Sequence, residues 1–178
     1  LDANDSVRMT NASMTIASGK DGIHAENTDD TSLGFMYLKD GTFEIVAEGD
    51  GLSAGNSMQI NDGTFQITSG GGSANASKQS SDSWGNFMGG MGGGRGNRPG
   101  RPGESGAQSQ PQSQSETDKQ TTENDDSSTS IKAIKSSGDM LIKGGTFTID
   151  SADDSVHSNA SITVSGGKFA IASGDDGF

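Results

Sequence analysis

The chain has 178 residues, a formal net charge of −12, 28% hydrophobic and 5% aromatic residues, 28 glycines and no cysteine. So little apolar mass does not fill a conventional globular core. The acidity excludes a nucleic-acid surface and favours cations as partners, and the lack of thiols excludes disulfides and thiolate metal sites.

Residues 1–70 read as coils of a solenoid. Val7, Met9, Met14, Ile16 and Ile23 alternate with polar residues, the period-two mark of a strand with one buried face. The set recurs as Met36, Leu38, Phe43, Ile45 and Leu52, then as Met58, Ile60, Phe65 and Ile67. The step from Met14 to Phe43 is 29 residues and that from Phe43 to Phe65 is 22, so the first contains a seven-residue insertion around 27–32. Asp40-Gly41 and Asp62-Gly63 mark a corner.

Residues 71–130 break the pattern. The first half, 71–103, is glycine-rich with four cations and one acid; the second, 104–130, is rich in Ser, Gln and Thr with six acids and one lysine. Neither half buries enough surface to order itself, so a long disordered insertion is expected. Trp84, Phe87, Met88 and Met91 are its only candidates for a lid or sugar platform.

From 131 to 178 the set returns as Ile134, Met140, Ile142, Phe147 and Ile149, then as Val156, Ile162, Val164, Phe169 and Ile171, ending on Phe178. Phe147 and Phe169 are again 22 residues apart, and the step from Phe65 to Phe147 is 82, which is one period plus an insertion of 60. Three short strands in about 22 residues predict an all-β chain, a parallel β-helix in which each coil stacks on its neighbours. The phenylalanines then form a ladder at the strand spacing of roughly 4.8 Å. No segment has helical periodicity, and neither the leucine-rich repeat nor the nine-residue calcium-binding β-roll fits. The chain begins at Leu1 without a signal peptide and ends inside a repeat, which reads as a fragment of a longer protein. No apolar run is long enough for membrane insertion.

Two polar columns carry the candidate chemistry. Seven residues after each anchor stand Asp21, Asp50, Gly72, Asp154 and Asp176, with Asp153 and Asp175 just ahead of the last two. Stacked carboxylates repel, and a hard cation relieves that cost. The candidate metal ligands are therefore Asp153, Asp154, Asp175 and Asp176 in one calcium site, and Asp21 and Asp50, helped by Glu48, in a second. Asp-Gly is also simply a good turn sequence. Zinc is disfavoured with two histidines and no cysteine. The outward position after the turn holds His24, Ser53, Lys135 and His157. His24, Lys135 and His157 are candidate ligand-binding residues, able beside calcium to hold an acidic sugar. No convincing base for a lyase is present, and Arg8 is the only arginine outside the insertion.

The repeated Gly-Gly-Thr-Phe-Thr-Ile at 144–149, with Asp153-Asp154-Ser-Val-His157 and Lys20-Asp21-Gly-Ile-His24, resembles a bacterial family of carbohydrate-binding β-helices of the clostridial cellulose- and acid-sugar-binding type. The resemblance covers about two thirds of the chain, leaving out the insertion. It implies a right-handed parallel β-helix similar in fold to pectate lyases, secreted or at the cell surface. It also implies non-catalytic binding of polysaccharide with calcium. Gly71-Gly72 and Lys132 depart from the family's acidic pattern. A polysaccharide lyase and a structural or adhesive surface solenoid are the alternatives.

Overall fold

The computed structural model describes residues 1–76 and 130–178. The expected insertion lies outside them except for 71–76 and Ser130, and so do Trp84, Phe87, Met88 and Met91 with the expected disorder. The described residues form a parallel β-helix of five coils, with three short strands in each. The first sheet contains Asp2–Ala3, Ile23–Ala25, Leu52–Ala54, Ile134–Ser136 and Val156–Ser158. The second contains Ser6–Met9, Phe35–Leu38, Met58–Ile60, Met140–Ile142 and Ile162–Val164. The third and longest contains Ala12–Ser18, Gly41–Ala47, Thr64–Ser69, Thr146–Ser151 and Lys168–Ser173. Every neighbouring pair is parallel, and no register slips.

The apolar columns read from the sequence are the strand partners. Met14 pairs with Phe43, Phe43 with Phe65, Phe65 with Phe147 and Phe147 with Phe169. The four rings are nearly parallel, with centroids 4.9, 4.8 and 4.6 Å apart. Rings touching at about 3.5–4.0 Å with centroids that far apart are slipped sideways, the offset that ring quadrupoles favour. Phe43, Phe65 and Phe147 are fully buried, while Met14 and Phe169, in the end coils, are partly buried. The spacing also places Phe178 after Ile23, Leu52, Ile134 and Val156 in the column that follows the acidic turn, and there the structure differs. Phe178 lies outside any strand, more than half exposed, with its ring edge-on to Phe169 at 5.4 Å.

The corner glycines are fixed by this ladder. Gly63 has φ 133°, and a Cβ there would sit 2.9 Å from the Phe65 ring and 3.0 Å from the Gly41 carbonyl oxygen. Gly41, Gly145 and Gly167 repeat that geometry under Phe43, Phe147 and Phe169. In the first coil, where the ladder residue is the slimmer Met14, Ala12 fills the glycine's place and Asn11 carries the positive φ.

The chain leaves the solenoid after Ser69 through Gly70, Gly71 and Gly72, all left-handed, into a short 3-10 turn at Ser73–Asn75. It returns so that Ile134 pairs with Leu52 and Phe147 with Phe65, as if nothing intervened. Ser69 marks the departure: its buried hydroxyl has no partner among the described residues. The equivalent Ser151 and Ser173 both donate to the carbonyl of Asp153, at 2.8 and 2.7 Å.

A central rung should matter more than an end one. Phe65→Ala is expected to cost about 3–5 kcal/mol in denaturant unfolding, and Met14→Ala clearly less. Equal losses would show that the ladder does not act as one buried column.

Candidate functional site

Between the third sheet and the first, each coil turns through the acidic column. Its order in space differs from the spacing-based reading. The N–H of Asp50 donates to Asp21 Oδ1 (2.8 Å), and the N–H of Lys132 to Asp50 Oδ1 (2.7 Å). The N–H of Asp176 donates to Asp154 Oδ1 (3.3 Å). The column therefore runs Asp21, Asp50, Lys132, Asp154, Asp176. Gly72 is not in it: it departs with the outgoing chain, its Cα facing the Asp150 carboxylate, which accepts the N–H of Ser73 at 2.6 Å.

Lys132 is buried, and its ammonium lies among the acids. Nζ is 2.5 Å from Asp154 Oδ2 and 3.4 Å from Asp153 Oδ2, and donates to Ser130 Oγ at 2.7 Å. Ser130 in turn donates to Asp153 Oδ2. His157 Nδ1 approaches the same Asp154 Oδ2 at 3.3 Å, and its Nε2 meets Asn159 Oδ1 at 2.9 Å.

The outward row of the first sheet is in register as Asp2, His24, Ser53, Lys135 and His157, so Lys135 and His157 are side by side on adjacent strands. Each basic side chain of the row leans on an acid. Lys135 Nζ is 3.4 Å from Asp50 Oδ2, and His24 is 3.2 Å from Asp2 and 3.3 Å from Glu26.

Among the described residues, one group of three acids comes close enough to share an ion. Asp153, Asp154 and Asp175 each offer an oxygen within 4.8 Å of the others. Asp176 is outside that group, and Asp21, Asp50 and Glu48 do not form a second. The oxygen-only donor set suits a hard divalent cation. The Lys132 ammonium, in contact with two of the three carboxylates, would compete with any ion there.

The two central acids titrate in opposite senses. Burial pushes the Asp50 carboxyl above its ordinary range, and the nearby Asp21 adds to this; the Lys132 N–H and Lys135 offset only part. Burial also opposes the charge of Asp154, but the Lys132 ammonium, the Asp176 N–H and His157 outweigh it and hold that carboxyl below its ordinary range.

Comparison with protein-family models matches residues 1–177 to the family described as carbohydrate-binding domain-containing protein. The chain belongs to that family. No curated protein and no solved structure matches it. The candidate site thus gathers Asp153, Asp154 and Asp175 with His157, while along the same edge Lys135 pairs with Asp50, His24 with Asp2, and Asp21 accepts the Asp50 N–H. Sequence reasoning marks Lys132 only as a departure from the acidic pattern and does not assign it, or Ser130, as a partner of these acids. The signal was there for Lys132, because it stands two residues before Ile134, where Asp154 stands before Val156.

The pH dependence follows from the two directions. Asp154 contributes stability that is present above its unfolded value of about 3.9 and is lost as pH falls through its lower folded value. Asp50, with a raised folded value, contributes stability present below about 3.9 and lost as pH rises through the folded value. In thermal melts with chelator from pH 3 to 8, Asp154→Asn should melt below the parent at pH 7, with the deficit shrinking toward pH 3. Asp50→Asn, which keeps an acceptor for the Lys132 N–H, should melt no lower than the parent at pH 7. The opposite ordering would refute this assignment of the column.

Proposed function

We propose that the chain is a non-catalytic module that binds polysaccharide along the acidic edge of the solenoid with the help of calcium. The observation that carries the reading is the three-acid group lying beside the outward pair Lys135 and His157. An acidic sugar carboxylate meets complementary partners there: a divalent ion on Asp153, Asp154 and Asp175, and the cations of the adjacent strands. Calcium bridges carboxylates of protein and sugar, because it accepts mixed oxygen ligands and tolerates irregular geometry. Lys135 and His157 orient the chain. Polygalacturonate is the probe with the matching charge.

The same reading puts the module outside the bacterial cell, secreted or on the surface. Open sites with few protein ligands suit the roughly 10⁻⁴–10⁻³ M calcium affinities of extracellular modules.

Lys132 makes the test sharp. Titration calorimetry with calcium should show binding by the parent, loss of it in the Asp153→Asn, Asp175→Asn double variant, and binding about tenfold tighter in Lys132→Met, where the competing ammonium is gone. Polygalacturonate pull-down should follow the same order and fail in chelator, and the incubation should release no unsaturated uronide. Pull-down unchanged by chelator would remove calcium from the reading, and uronide release would make the protein a lyase.

A further inference from the structure

The second sheet has an outward row of a different character. In strand register it runs Arg8, Tyr37, Gln59, Leu141 and Thr163. Tyr37 is the chain's one tyrosine, and Arg8 is the one arginine among the described residues. A pocket of about 370 Å³ opens on this row, lined by Arg8, Phe35, Tyr37, Gln59, Asp139 and Leu141 among others. That is within the roughly 300–1,000 Å³ typical of small-ligand sites.

Several of the lining groups are held in place. The Arg8 guanidinium lies over the Phe35 ring, 4.5 Å from its centroid, a cation–π contact that restrains a long side chain. Gln59 donates to Asn61 Oδ1 at 2.6 Å, and Asn61 donates to the Tyr37 hydroxyl at 2.9 Å. The Tyr37 oxygen is thereby used as an acceptor, which leaves its proton to be donated elsewhere. Ser161 donates to Asp139 Oδ1 at 2.6 Å and steadies that carboxylate, which has further acceptor capacity.

The chemistry of this lining is specific. Tyr37 and Leu141 supply an apolar floor, and Phe35 holds Arg8 at its side. Arg8 and the Tyr37 hydroxyl supply donors, and Asp139 and the Gln59 amide oxygen supply acceptors. One cation and one anion leave the pocket without net charge, unlike the acidic column. A pyranose ring has the complementary make-up: an apolar C–H face and a rim of hydroxyls that both donate and accept.

We propose that the second sheet carries a calcium-independent subsite for a neutral pyranose residue of a glycan chain. Tyr37 and Leu141 lie beneath the ring, Arg8, Gln59 and Asp139 engage its hydroxyls, and Phe35 steadies Arg8. The subsite rests on the carbohydrate-binding reading above, and adds a second face with its own ligand class and no need of a metal.

The test uses the whole chain in chelator, titrated calorimetrically with neutral hexaoses derived from β-glucan, xylan and mannan. At least one should bind the parent. Tyr37→Ala and Arg8→Ala should each weaken that binding at least tenfold, while the Asp153→Asn, Asp175→Asn double variant binds it like the parent. Polygalacturonate pull-down in calcium should be unchanged in Tyr37→Ala, so failure of the acidic-edge site and failure of this one are separate results. If Tyr37→Ala does not melt cooperatively, the exposed-side variants Gln59→Ala and Asp139→Asn replace it, with the same loss expected. No binding of any neutral hexaose by the parent, or binding within twofold of the parent in every folded pocket variant, overturns the proposal.

Discussion

Every position in this solenoid must tolerate a near-copy of itself one strand spacing away. That single constraint, imposed by parallel strands in unbroken register, sorts the side chains by type. A phenylalanine column satisfies it without help, because offset rings attract and exclude water together. A carboxylate column does not. Two charges at that separation repel by roughly 1 kcal/mol in water and by several times more where burial lowers the effective dielectric constant. The structure meets the difficulty in two ways. Backbone N–H groups of one coil cap the carboxylates of the next, and Lys132 interrupts the acidic series at its centre.

The interruption divides the edge into two electrostatic regimes. On one side Asp50 is enclosed, raised in pKa and shared between a backbone N–H and Lys135. On the other, Asp154 is the hub of an ion-pair network with Lys132 and His157, and Asp153 and Asp175 bring further negative charge to it. Buried pairs of this kind add little net stability, because desolvation offsets the attraction. What they do supply is position: the carboxylate oxygens are fixed in direction before any ligand arrives, which lowers the ordering cost of binding.

Most of the fold was legible in the sequence because the period is nearly invariant. Once Phe43 and Phe65, and Phe147 and Phe169, fix a step of 22, all the inward columns follow, and the strand pairings reproduce them residue for residue. The acidic column was legible in composition but not in order. Counting forward from Phe65 leads to Gly72, whereas counting back from Ile134 leads to Lys132, and only the path of the chain decides between them. The pocket on the second sheet was hidden for another reason. Its residues come from separate coils and show no common motif; Arg8 meets Phe35 only because a seven-residue insertion between their coils leaves the register intact. The turn at the chain's end also differed, since Phe178 has no strand above it to hold it in the column and turns its ring against Phe169 instead.

The join between the third and fourth coils has a consequence for how such a domain diversifies. The two strand ends meet a fixed geometry, and loop-closure entropy grows only with the logarithm of length. A connection eight times longer therefore costs about 2 kcal/mol more. That is a small toll against a register held by three sheets at once. The solenoid thus has a port at which a long connection leaves the pairing of the flanking rungs intact. On re-entry Lys132 meets the acidic series on both sides, its backbone N–H on Asp50 and its ammonium on Asp153 and Asp154. Recognition on the faces and whatever the port carries are, in that sense, free to evolve independently.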